Sequence, residues 1–107
     1  MEKETNRVKI TVLKCFDMGE VFKDRPIKVK YSGPCPIFKE GQVLYIDKLA
    51  MPNEFRDCPV AWHVIFLAAM TLTFGGNFDW WYEEDGKAVI CCPDGLRPVV
   101  FKLERTH

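Results

Sequence analysis

The residues with most latent chemistry are the cysteines. Five occur in 107 residues: Cys15, Cys35, Cys58, Cys91 and Cys92. Three precede proline, in Cys35-Pro36, Cys58-Pro59 and Cys92-Pro93. Proline after cysteine removes the next backbone donor and stiffens the loop, and a Cys-Pro step occurs in ferredoxin-type cluster motifs. No C-x₂-C pair is present, so the strong zinc signatures are missing. The candidate metal-ligand set is Cys35, Cys58 and one or both of Cys91 and Cys92, holding an iron–sulfur cluster or zinc. Neighbours on a strand point to opposite faces, so Cys91 and Cys92 both join one site only if the strand breaks at Cys92. Cys58 falls at a helix start, where the dipole favours thiolate. The competing reading is of separate thiols packed as small hydrophobes.

A second constellation is Asp79-Trp80-Trp81-Tyr82, a carboxylate beside three aromatic rings. In a strand, Trp80 and Tyr82 share one face and Trp81 takes the other. One face then lines a pocket for a flat ligand, with Trp80, Trp81 and Arg97 as its binding residues; alternatively the rings cap the core. Asp94 is expected to accept from turn amides and Arg97 to pair with a carboxylate, an anion site at Arg97 being the sharper alternative. His63 reads as a core residue of an apolar helix. On a regular helix it lies about 140° round from Cys58, so a Cys–His catalytic pair is the weakest reading. G-x-S-x-G, H-E-x-x-H and phosphate-loop patterns are absent.

Composition narrows the classes of function. Lys+Arg and Asp+Glu number 15 each, and a zero balance argues against nucleic acid or an anionic membrane as the partner. The chain is 48% hydrophobic and 28% charged, enough apolar residue for a packed core. The length suits one domain, residues 1–107. Met1 to Asn6 is polar and lacks an apolar signal region. The uncharged stretch Cys58–Phe78 contains Pro59, Gly75 and Gly76 and reads as a buried helix rather than a membrane span. A cytoplasmic protein is expected, where five cysteines serve as thiols or metal ligands rather than as a disulfide framework.

These groups need elements to position them. Val8, Ile10 and Val12 alternate with polar residues in a strand over Arg7–Cys15 that bends near Leu13. Asp17 caps a short helical turn within Asp17–Asp24. Ile27, Val29 and Tyr31 alternate with lysines as a second strand, and Gln42–Asp47 forms a third. Met51–Asp57 is a connection. Pro59 starts a helix that runs to about Phe74, where Gly75-Gly76 stops it. That helix is apolar on every face, so a sheet covers one side and a second copy of the chain covers the other, giving a homodimer. Lys87–Cys92 and Val99–Leu103 pair through a Pro93-Asp94-Gly95 turn. The fold class is therefore α+β, with one main apolar helix on a mostly antiparallel sheet and a C-terminal hairpin.

Several segments carry a resemblance. They are Cys35-Pro36-Ile37-Phe38-Lys39-Glu40-Gly41-Gln42, Ala61-Trp62, Phe74-Gly75-Gly76-Asn77-Phe78-Asp79-Trp80-Trp81, and the run from Cys91-Cys92-Pro93-Asp94-Gly95-Leu96-Arg97 to Glu104. With the opening Val8–Leu13 strand they cover most of the chain. The sequence resembles a family of small, functionally uncharacterised proteins of anaerobic bacteria and archaea. The resemblance supplies no activity. It implies that Cys35, Cys58, Cys91 and Cys92 belong to the family's pattern and that Cys15 is incidental, and an anaerobic setting suits oxygen-sensitive thiolates. The expected function is a small accessory protein with a thiolate site for a soft metal, with a larger enzyme as a possible partner. Two alternatives remain: a small-ligand or partner-binding module with structural cysteines, and a Cys-dependent enzyme.

Overall fold

The computed structural model describes residues 6–106. Four strands form one antiparallel sheet: β1 (Arg7–Cys15), β2 (Val43–Ile46), β3 (Lys87–Cys91) and β4 (Val99–Thr106). Their order is β2-β1-β4-β3, with the two longest strands in the centre. Two helices accompany them, α1 (Met18–Val21) and α2 (Pro59–Thr73), the latter preceded by a 3₁₀ turn over Asn53–Asp57. The expected α+β architecture is thus the one observed.

Period-two patterning decides which face of the sheet is covered. Val8, Ile10 and Val12 of β1 and Val99, Phe101 and Leu103 of β4 are all buried, and all lie on the face that α2 packs against. From α2 come Ala61, Ile65, Ala69 and Leu72, each fully buried. Phe38 and Phe55 close the core at one end, tilted at 46° with ring centres 5.2 Å apart and both against Phe101. The expected bend in β1 is a bulge: the register against β4 shifts between Val12 and Lys14, which turns Leu13 outward.

The ends of the helices follow their sequence signals. Asp17 caps α1 in a capping box with Glu20. Pro59 occupies the first turn of α2. At the other end the N–H of Gly75 donates to Leu72 O and that of Gly76 to Thr71 O, with Gly75 at φ +86°. This is a Schellman closure, which requires a left-handed residue and so favours glycine.

Three expectations need correction, on Ile27–Tyr31, on Phe78–Tyr82 and on His63. Ile27–Tyr31 is not a strand; Ile27 is 60% exposed, and the four-stranded sheet does not include it. Its alternation has no neighbouring strand to pair with, and Tyr31 instead lies under the Arg97 guanidinium. Phe78–Tyr82 is a loop and turn rather than a strand. The outer stripe of α2, with Val60, Leu67 and Met70 and with Phe74 just beyond it, is exposed in the single chain, on the side expected to meet a second copy. His63 lies on that outer side, exposed, and not in the core. Among the described residues no helix is long and apolar enough to cross a membrane.

Candidate functional site

The topology brings the cysteines, scattered over 78 positions of sequence, to one end of the domain. At the opposite end, the start of β1 is tied to the last turn of α2, where Asn6 N–H donates to Thr73 O. Helix α2 therefore runs back along β1. Its first residues lie at the end of the sheet where β1 finishes at Cys15 and β3 at Cys91. Cys15 pairs with Val99 on β4, and Cys91 with Val100. Cys58 is the residue before α2, its N–H donating to Phe55 O behind the Phe38–Phe55 pair.

β3 ends at Cys91, so Cys92 is free of strand parity. Its backbone N–H donates to Val99 O, and its Sγ accepts from Val99 N–H at 3.2 Å. The thiol is thereby turned back onto β4, across which Cys15 lies. Cys15 and Cys35 in turn line one open cleft of about 400 Å³ together with Phe38 and Glu40. The Cys15 thiol donates to Phe38 O at 3.5 Å, and its N–H donates to Glu40 Oε1 at 3.2 Å. Burial raises the Cys15 pKa, reinforced by the Glu40 carboxylate and by the Cys35 and Cys92 thiols. Cys91, on the exposed side, is also raised, by burial first and then by Cys92 and Asp94. Neither is an activated thiolate of the kind a cysteine nucleophile needs.

Cys15 therefore shares a cleft with Cys35. The only local hint was its place at the end of a core strand; its partner Val99 lies 84 residues on. Among the described residues, no group of three His, Cys, Asp or Glu side chains is arranged to hold a metal ion.

Arg97 belongs to this end too, and not with the aromatic residues. Asp94 Oδ1 accepts from the N–H groups of Leu96 and Arg97, as expected of a turn aspartate. Arg97 Nε lies 3.5 Å from Asp94 Oδ2, and the guanidinium sits 3.6 Å above the Tyr31 ring. Its charge is thus engaged on both sides.

The aromatic residues form a second feature where α2 crosses β3. Two small residues meet there, Ala68 of α2 and Ala88 of β3, and leave a cleft of about 300 Å³ walled by Leu67, Ile90, Trp81 and Tyr82. Trp81 is stacked between Trp80 and Tyr82, with interplanar angles of 9° and 3°. Trp80 is 87% exposed and forms the outside of the stack rather than the cleft wall. The stack is anchored at Tyr82, whose hydroxyl donates to Val89 O and accepts from Val89 N–H on the free edge of β3.

A residue the sequence did not mark ties the far end together. Arg105 Nη1 donates to Gly76 O at 2.7 Å and to Leu72 O at 3.3 Å, and Nη2 donates to Asn77 Oδ1 at 2.7 Å. The same Asn77 oxygen accepts from Gly86 N–H. One guanidinium thus closes the C-terminus of α2 and fixes the loop that leads to the aromatic stack.

Fold and sites together define an α+β domain with one helix on a four-stranded antiparallel sheet, thiols at one end and an apolar cleft on its flank. No family model matches the chain, and no curated protein or solved structure does.

Proposed function

We propose that this protein is a small accessory module that holds a soft metal ion, zinc or the iron of a cluster, at its cysteine-bearing end. The observation that carries the reading is the convergence of thiols from separate segments: Cys15 and Cys35 on one cleft, Cys92 bonded back to the strand between, Cys91 beside it and Cys58 at the start of α2. Thiolates are the ligands that select such metals. Binding requires the loop around Cys35 and the turn after Cys92 to close on the ion, as is usual where a site forms together with its metal.

The reading includes a cytoplasmic setting and a homodimer formed through the exposed outer stripe of α2, which carries Val60, Leu67 and Met70 with His63 among them. The test is anaerobic purification with elemental analysis, followed by zinc titration against a chromophoric chelator. One metal per chain is expected, lost in Cys35→Ser and Cys92→Ser variants that remain folded. A folded, metal-free protein that leaves zinc on a micromolar chelator refutes the metal reading. Sedimentation showing only monomer at micromolar concentration refutes the dimer.

A further inference from the structure

The two edges of the sheet are finished differently. Alternation along an antiparallel ladder fixes which backbone groups point outward. Val12 N–H donates to Gln42 O, so Leu44 and Ile46, the next residues of that parity, turn their N–H and C=O groups toward β1. Those of Val43 and Tyr45 point away from it. On β3 the outward groups of Val89 are taken by the Tyr82 hydroxyl. On β2, the other outermost strand, the backbone of Val43 and Tyr45 has no such partner among the described residues. An edge strand is ordinarily closed to other chains by a charge or a proline within it. Val43-Leu44-Tyr45-Ile46 holds neither, and the side chains of Val43 and Tyr45 are exposed.

Charge decides what such an edge takes. Leu44 and Ile46 are buried, so Val43 and Tyr45 lie on the opposite face of the sheet, away from α2. On that face Lys9 is the register partner of Tyr45, and the Arg7 guanidinium sits 3.9 Å over the Tyr45 ring. Lys48 stands two residues past β2. None of these three cations is in an ion pair among the described residues. Of the nearby carboxylates, Glu40 is held by Lys14 and Glu104 by Lys102, which leaves Asp47. A second copy is therefore a poor occupant. β2 against β2 would bring two basic sets together, and the strand-patterned Ile27–Tyr31 segment would add Lys28 and Lys30. We infer that the β2 edge is a docking site for an extended acidic segment of a partner protein, added antiparallel as a fifth strand through the backbone groups of Val43 and Tyr45, with its carboxylates toward Arg7, Lys9 and Lys48. In this mode main-chain bonds supply affinity and alternate side chains supply selectivity. The edge shares no residue with the thiol end or with the outer stripe of α2.

Fluorescence anisotropy with a labelled acetyl-ETETETE-amide peptide tests the inference. One peptide per chain is expected, and the lysine counterpart KTKTKTK should bind at least about tenfold more weakly. The same acidic peptide N-methylated at its glutamates keeps its charge but loses the donors that face β2, and it too should bind about tenfold more weakly. Val43→Pro removes an outward N–H and no bond to β1, so the variant should stay folded and lose about tenfold in affinity. Lys9→Gln with Lys48→Gln should weaken the acidic peptide about fivefold. Equal binding of the N-methylated peptide overturns the inference, because a basic surface would attract any polyanion in that way. Equal binding of the lysine peptide, or no binding of the acidic one up to about 1 mM, overturns it as well. So does a dimer of the parent that dissociates in Val43→Pro, because a second copy then occupies the edge.

Discussion

Replacing Arg105 by alanine tests how the domain is held together at the end away from the thiols. The guanidinium makes three hydrogen bonds, to Gly76 O, Leu72 O and Asn77 Oδ1. A bond with one ionised partner contributes about 1.5–3 kcal/mol, so three would sum to several kcal/mol if each were fully buried. Arg105 is half-buried and its bond to Leu72 is the longest, so water reaches the freed carbonyls and recovers part of that sum. The lost cation at the helix C-terminus adds up to about 1 kcal/mol. A destabilisation of about 3 kcal/mol is expected, a large share of the roughly 5–15 kcal/mol that holds a domain folded. In urea, with a slope of about 1–1.5 kcal/mol/M, the unfolding midpoint followed by tryptophan fluorescence should fall by about 2 M. Arg105→Lys keeps the charge without the fork and should recover about 1 kcal/mol. Paired with Asn77→Ala, the double variant should show a coupling above about 1 kcal/mol, because Asn77 also holds Gly86. An Arg105→Ala protein within about 0.5 kcal/mol of the parent at unchanged slope would refute the reasoning.

The helix stop offers a graded comparison. Gly75→Ala forces a side chain to φ +86° and should cost about 1 kcal/mol in urea unfolding. Gly76→Ala should cost more, about 2 kcal/mol, because its Cβ would lie 2.8 Å from Thr71 Cγ2 and 3.1 Å from Thr71 O, the acceptor in the closure itself. Asp94 sets an acid limb. Burial alone would raise its pKa, but the Leu96 and Arg97 N–H groups and the Arg97 guanidinium outweigh it and hold the carboxyl below its ordinary value. A depressed folded-state pKa stabilises above the unfolded value near ~3.9 and is lost as pH falls below it. The urea midpoint should therefore drop below about pH 4, and Asp94→Asn should flatten that drop; an equally steep fall in the variant assigns the acid limb to other carboxylates.

The fold was legible where one local rule decided the outcome. Val8-Ile10-Val12 and Val99-Phe101-Leu103 alternate because a single face is buried, and Asp17, Pro59 and Gly75-Gly76 mark helix ends by their own backbone chemistry. It was misread where the same pattern has two causes. Ile27-Val29-Tyr31 alternates as a strand does, yet alternation cannot supply the neighbouring strand it needs. Trp80-Trp81-Tyr82 was read by strand parity, whereas a turn lets all three rings stack in one direction. The sites were legible as residue types but not as sets. Cys15 shares a cleft with Cys35 and is held opposite Val99 by a register fixed 84 residues later. Arg97 and Trp81 are close in number but are turned to different parts of the molecule. The cleft itself is invisible in sequence, since it exists because two alanines meet across a crossing of helix and strand.

The Tyr82 hydroxyl, fixed to both backbone groups of Val89, does for β3 what an adjoining strand would otherwise do. An open sheet margin is a template on which another polypeptide can polymerise, and here a single phenolic oxygen occupies the backbone groups midway along five residues. The loss of that oxygen alone, as in a tyrosine-to-phenylalanine change, would leave the core intact while freeing both backbone groups of Val89 on that margin.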